Sequence, residues 1–455
     1  MAKRKNEKKS TVTHLPTMRP NAGGIDIGAR EIFVAVPPER APQSIRSFQT
    51  FTQDLYELAA WLKECSVDTV AMESTGVYWI PLYQILEDAG IEVCLVNARH
   101  AKSVPGRKSD VQDCQWLQFL HSVGLLSASF RPAQEVCAIR TVLRHRQGLV
   151  KMAAMHIQHM QKALSQMNLQ IHHVLSDITG KSGLAIIDAI LAGERDPYKL
   201  ANLRNERVKT SEEIIAKSLV GDYRPEHIFT LRQSLTTYRA YEKLVDECDS
   251  EINRLLGEFN GPSDSEEPLA KKPRKKRNRS SADSLLAREL KRAFGVDLTE
   301  IPAIDVGTAQ TLFGEIGPDF TKFRSASAFA SWLTVCPHND ISGGKVLSSR
   351  TRQSKSRSAA SLRMAAQTLS HDKSALGDFF RRMRAKFGAP KAITAAAHKL
   401  ARIIYHLVTT AQNFDDSHFA ADQMQYLQRQ QAKLHAKARA LGFQLVPLQT
   451  ASSLP

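Results

Sequence analysis

The chain has 455 residues, 42% hydrophobic, 24% charged and 7% aromatic, an ordinary globular composition with room for two or three domains. Lys and Arg outnumber Asp and Glu by 62 to 46, giving +16 and a pI near 9.6, which favours a polyanionic partner and nucleic acid first. No apolar run reaches the length of a membrane helix, and six scattered cysteines without a CxxC pair argue against a disulfide scaffold or zinc ribbon and for a reducing cytoplasm.

Residues 1–20 carry six Lys/Arg against one Glu, lack the apolar stretch of a secretory signal and read as a disordered basic arm. Residues 21–130 alternate strand and helix patterns. GGIDIG and REIFVAVP form two strands joined by a turn at Gly28-Ala29-Arg30, and SIRSFQTF a third. A helix follows from Thr52, then the strand VDTVAMES, the helix GVYWIPLYQILEDAG and the strand IEVCLVN. This is an α/β layer domain.

From residue 132 the pattern becomes heptad. Val136, Leu143, Val150, Ile157, Leu164, Ile171 and Ile178 recur every seven residues, with Ile139, Arg146, Ala153, Met160, Met167 and Val174 at the other seam position. Twelve of these thirteen are apolar, which predicts a continuous coiled-coil helix of roughly 60 Å. A second long helix is expected from Pro225 to Leu256, with Ile228, Leu231, Leu235 and Tyr238 inward. It either folds back on the first or pairs with another chain, and the length of the first favours the intermolecular seam. Residues 260–284 are low-complexity, with seven of nine residues basic at 271–279, and read as a linker or phosphate-gripping insert. The rest reads as compact and helical, with final helices near 390–412 and 421–441 and an acid-free basic stretch from Ser342 to Ser370.

Four acids stand out. Asp26 sits between two isoleucines on the first strand, where a carboxylate needs hydrogen bonds or a cation. Glu73 ends the strand VDTVAMES, at the edge where open α/β sheets bind ligands, or it caps the next helix. Asp110 and Asp113, spaced i, i+3 behind a Ser109 N-cap, project from one face of a helical first turn. Singly each has a structural explanation. Together they place four hard oxygen donors at one sheet edge, the chemistry of a Mg²⁺ site for displacement at phosphodiesters.

GGIDIG, VAMESTGVYW, VNARHAKSVPGRKSDVQDCQWL and the later P-x-x-x-x-SGGK segment resemble the DEDD transposases of bacterial insertion elements, the IS110 family, which also contains pilin-gene invertases. The resemblance covers nearly the whole chain. It implies an RNase H/RuvC-like N-terminal domain, long coiled-coil helices and a helical C-terminal transposase domain. Asp26, Glu73, Asp110 and Asp113 would be catalytic metal ligands for Mg²⁺. Ser342 would be the nucleophile that forms a 5′-phosphoserine link to DNA, in a composite site with acids of another protomer; Ser348, Ser349 and Ser354 remain open as alternatives. Lys345, Arg350, Arg352, Lys355 and Arg357 would contact nucleic acid. The implied partners are donor and target double-stranded DNA, a structured bridge RNA encoded by the element, and further copies of the chain as a homodimer or a synaptic tetramer, in a bacterial cytoplasm at the nucleoid and without a membrane.

The expected organisation is a basic arm (1–20), a catalytic domain (21–130), a helical dimerisation region (131–258), a basic linker (259–284), a transposase domain carrying the serine (285–413) and a final helix and tail (414–455). IPAIDVGTAQTLFGEIG is similar to a helix-hairpin-helix, with Ala303 and Asp305 where glycines are expected, so that the hairpin only packs. Tyr78, Trp79 and Trp116 read as core, and His145, His156 and His159 lack a zinc pattern. Two other functions stay open. A resolvase-like nuclease would use the same acids with water, and a non-enzymatic nucleic-acid scaffold would use none of them.

Overall fold

The computed structural model describes residues 16–74, 76–97, 110–261, 281–354 and 356–445, without the side chains of Asp110 and of residues 281–283, 418–423 and 425–427. Most of the basic arm, the Ser109 cap, Lys355 and residues 262–280 of the expected linker lie outside the described residues. The chain divides into two compact units, Met1–Arg131 and Pro132–Pro455.

The first unit is built on a five-stranded sheet. Strands β1 (Ala22–Ile27), β2 (Glu31–Ala35) and β3 (Ile45–Gln49) form an antiparallel meander, and β4 (Thr69–Glu73) and β5 (Glu92–Val96) add parallel to the other side of β1, in the order β3-β2-β1-β4-β5. Helices α1 (Thr52–Glu64) and α2 (Trp79–Asp88) supply the crossovers that parallel neighbours require. Ile25, Val34, Leu58, Leu62, Val70, Met72, Leu82 and Leu86 form the core on one face. The other face is covered by α3 (Asp110–Ser122) through Ala71, Cys94, Val96 and Leu117. Tyr78 departs from expectation: it is 53% exposed, because it precedes α2 and lies off the buried Leu82/Leu86 stripe. Trp79 is half-buried, edge-on to Tyr83, whose face the Arg131 guanidinium covers.

In the second unit α4 (Gln134–Gln166) is long but shorter than the heptads predict. Its 33 residues span about 50 Å. Asn168 turns to φ +57, and a Cβ on Gly221 would meet the Met167 carbonyl at 2.2 Å, so a close tertiary crossing ends the helix. Ile171 and Val174 fall instead on the short α5 (Ile171–Val174), and Ile178 lies beyond it. Val150 is also off the seam, 43% exposed, while Leu149 is buried. Leu149, one position earlier, takes that contact instead.

What covers the seam is α9 (Pro225–Glu258) of the same chain. Leu149 packs with Val245 and Cys248, His156 stacks on Tyr241, and Met160 and Leu164 share a core with Leu231 and Leu235, an antiparallel hairpin. The favoured intermolecular seam is thereby replaced by an intramolecular one. Arg146, the one charged seam residue, makes two hydrogen bonds to Asp249 at 2.5 and 2.8 Å. Helices α6 (Lys181–Ala192), α7 (Pro197–Ala201) and α8 (Glu212–Ser218) close the far end of this hairpin around Ile186, Ile190, Leu200 and Ile215.

The C-terminal part contains α10 (Ser281–Phe294), α11 (Val306–Ile316), α12 (Ala326–Trp332), α13 (Arg357–Thr368), α14 (Ala375–Phe387), α15 (Ala389–Thr410) and α16 (Ala420–Ala440). Helical structure thus begins at Ser281, inside the segment expected to be linker. Phe320, Phe323, Phe329, Trp332 and Tyr405 form an aromatic core, with the Tyr405 hydroxyl donating to the Phe323 carbonyl at 2.9 Å. A β-hairpin that the helical reading missed, β6 (Asp340–Ser342) and β7 (Lys345–Ser348), stands between α12 and α13. Ala303 sits at φ +76, in the left-handed conformation glycine would favour, and Asp305 caps α11 by accepting from the Thr308 amide at 2.8 Å. The turn keeps its shape without the glycines.

Candidate active site

The way α3 lies on β1 sets its first turn beside the end of that strand. A Cβ on Gly24 would fall 2.3 Å from the Cys114 carbonyl and 2.2 Å from the Gln118 amide, so only glycine admits the helix backbone this close. The Gln118 side chain donates to the Ala22 carbonyl at 3.1 Å, and the His121 ring lies 2.9 Å from the Thr69 hydroxyl. The C-terminal half of α3 is therefore tied to the beginnings of β1 and β4, and its first turn points to their ends. The lengths agree: eight helical residues from Gln118 to Asp110 rise about 12 Å, and four strand residues from Ala22 to Asp26 about 13 Å.

Strand alternation does the rest. Asp26 is two residues beyond Gly24 and faces α3 with it; Glu73 is two beyond Ala71, the register partner of Gly24. Asp26 and Glu73 stand one step past the pair Ile25↔Met72 on adjacent parallel strands. Both are half-buried, as is Asp113 on the first turn of α3. Cys114 reports on two of them: burial pushes its thiol up to about 12, and the Asp26 and Asp113 carboxylates both contribute. That thiol is fully buried and donates to the Val111 carbonyl at 3.2 Å, so it is no nucleophile. Glu73 is not the N-cap of α2, which starts at Trp79 without a side-chain cap. Asp110 is the first residue of α3, and its side chain lies outside the described residues.

At the opposite end of α3 from Asp113 lies a buried histidine that the sequence did not single out. His121 is 1% exposed and contacted at Nε2 by the Thr69 hydroxyl and, at 3.4 Å, by the Arg19 guanidinium. Arginine only donates, so Nε2 accepts and the neutral ring carries its proton on Nδ1. Burial, then the Arg19 charge, push His121 down to about 4, against an opposing contribution from Asp68.

In the second unit Ser342 ends β6, exposed, opposite Lys345 on β7. Gly343 and Gly344, at φ +54 and +76, make the two-residue turn beside it. Among the described residues no hydrogen bond engages its hydroxyl. The Ser348 and Ser354 hydroxyls instead accept from the Arg350 and Ser356 amides, while Ser349 is exposed. Of the expected nucleic-acid contacts, Lys345 and Arg350 are exposed. Arg352 donates to the Ser331 carbonyl at 2.9 Å and Arg357 to the Gln147 side chain at 2.9 Å, so both also hold the fold.

Residues 23–169 match the DEDD transposase family of IS110 elements, and residues 297–381 the transposase family IS116/IS110/IS902, together just over half of the chain. The chain belongs to the IS110 family of transposases. No curated protein matches it. Transposases cut and rejoin DNA, and the first match contains Asp26, Glu73, Asp110 and Asp113 while the second contains Ser342.

For a divalent metal, the transposase offers carboxylate oxygens at one strand edge, the donors that hard cations prefer. The fit is one of donor chemistry: among the described residues no group of three or more His, Cys, Asp and Glu is close enough to hold an ion. No helix among them is long and apolar enough to cross a membrane.

Proposed function

We propose that this transposase is a Mg²⁺-dependent recombinase that joins DNA to itself covalently before transferring it, guided by an RNA of its own element. The observation that supports the reading is that Asp26, Glu73 and the first turn of α3 lie toward one end of the five-stranded mixed sheet. Asp26, Glu73, Asp110 and Asp113 would hold Mg²⁺, which supplies Lewis acidity toward a phosphodiester oxygen.

Ser342 Oγ forms the new bond to phosphorus, its proton leaving to a base or water. The 3′ oxygen of the cut strand departs, leaving a 5′-phosphoserine. Lys345, its register partner, places an ammonium beside the phosphate whose charge grows during attack. Attack by a new 3′ hydroxyl reverses the step. The number of phosphodiesters is conserved, so no nucleotide hydrolysis is required.

Guidance by a bridge RNA, a composite site assembled from more than one protomer in a dimer or tetramer, and action at the bacterial nucleoid follow from the family resemblance. The basic composition, +16, suits donor and target DNA and an RNA. Sequencing the RNA that purifies with the protein from its host tests the guide, with one discrete structured RNA expected; heterogeneous fragments would leave a transposase that reads DNA alone. Denaturing gels of labelled junction DNA test the serine. Ser342→Ala abolishes the protein–DNA adduct and strand cutting, whereas retained cutting would mean a hydrolytic nuclease.

A further inference from the structure

We propose that the β6–β7 hairpin is an apolar wedge that enters the base step beside the phosphate attacked by Ser342. The inference rests on the serine reading for its location and on the hairpin's own geometry for its action.

Residues directly opposite on antiparallel strands point to the same side, and neighbours along a strand to opposite sides. Ser342↔Lys345 therefore form one face and Ile341↔Val346 the other. The next pair is Asp340↔Ser348, so Leu347 is an extra, bulged residue. Ile341 is 62% exposed, Val346 56% and Leu347 71%. Three large aliphatic side chains are thus clustered in water on a two-stranded ribbon that buries none of them, and such a ribbon is marginally stable on its own. Scattered exposed leucines need no explanation; a cluster on one protruding element does.

Charge selects the occupant. From Ile341 to His371 there is no Asp or Glu, while Lys345, Arg350, Arg352, Lys355, Arg357 and Arg363 fall in the same stretch. An apolar face on a ribbon set in an acid-free cationic stretch suits duplex DNA, where phosphates meet the cations and aliphatic side chains insert between bases. The single acid of the hairpin, Asp340, is at the end farthest from the Gly343-Gly344 turn. Unstacking the bases at the cut would free the new ends to pair with a different strand, which rejoining to a new partner requires.

The test uses the full-length protein with its co-purified RNA and a duplex carrying the junctions that flank its gene, with 2-aminopurine at the step next to the cut. Wild type and Ser342→Ala both raise the fluorescence on binding. Ile341→Ser/Leu347→Ser, which removes exposed side chains and leaves the circular dichroism spectrum unchanged, does not raise it. That variant cuts intact duplex about 10- to 100-fold more slowly, the scale of one unstacked step. A mismatch at that step restores its cutting.

Absence of a fluorescence rise with wild type, or wild-type cutting of intact duplex by the double variant, overturns the wedge. Slow cutting of both intact and mismatched duplex also overturns it, assigning the two residues to positioning the serine. Should Ser342→Ala still cut, the serine reading fails on its own, and the fluorescence arm still decides the wedge.

Discussion

Gly24→Ala probes the contact that seats α3 on β1. The added methyl would sit 2.2 Å from the Gln118 amide and 2.3 Å from the Cys114 carbonyl, both backbone atoms that no rotamer change can move. Restoring an ordinary separation of about 3.4 Å requires α3 to shift by about 1 Å, and overpacking of this kind costs about 1–3 kcal/mol. The same shift carries Asp113 away from Asp26. A displacement of about 1 Å at a reacting centre costs about 100-fold in rate, so activity falls further than stability. Urea denaturation, strand cleavage and calorimetric Mn²⁺ binding read the two effects separately. Gly148→Ala is the control: its Cβ would meet nothing within 4 Å, and an alanine inside α4 stabilises by up to about 1 kcal/mol. Wild-type cleavage and metal affinity in Gly24→Ala would refute the role given to this packing.

Three further outcomes follow from the same structure. His121 has a folded pKa near 4, below its ordinary 6.5, so its contribution is complete above 6.5 and is lost as pH falls toward 4. Urea midpoints at pH 7 and pH 5 should differ by about 2 kcal/mol from this group; a His121→Gln variant showing the same drop would assign it elsewhere. Ala303→Gly should stabilise the second unit by up to about 1 kcal/mol, since φ +76 strains alanine and suits glycine, and a lowered melting temperature would contradict that. Glu315 accepts two hydrogen bonds from Arg144, at 2.9 and 2.7 Å, and lies 3.2 Å from Arg140. Although burial alone would raise its pKa, Arg144 and the neighbouring Arg140 and Arg357 charges hold it below the usual carboxylate range. Glu315→Gln leaves these arginines clustered without their anion, so a loss of about 2 kcal/mol is expected in urea denaturation, and an unchanged midpoint would show the pair to be inert.

The α/β unit was legible because each strand and helix there carries its own period. The strands and helices of this unit follow from alternation and helical spacing, as do the places of Asp26 and Glu73 on β1 and β4 and of Asp113 on α3. Where α3 crosses β1 did not follow, because that depends on Gly24 against Cys114 and Gln118, partners some ninety residues apart. A Gly-Gly pair before Ile-Asp-Ile was the one visible trace of that contact, and it reads equally well as a turn.

The long helix misled for a related reason. Its heptads hold, apart from Val150, as far as Leu164, but Met167 and Asn168 are claimed by Gly221 and Asp222, whose amide donates to the Met167 carbonyl at 2.9 Å. Periodicity measures what a helix could bury and is silent about which chain buries it. Here α9 takes the seam within the chain. The hairpin was hidden differently. Ile-Ser-Gly-Gly-Lys-Val contains a good two-residue turn signal, yet its strands are too short and too exposed to show a core-facing period. Ser342 was found from its neighbours in a motif, not from any physical pattern. Its pairing with Lys345, and the apolar face behind them, became arguable only once the register was known.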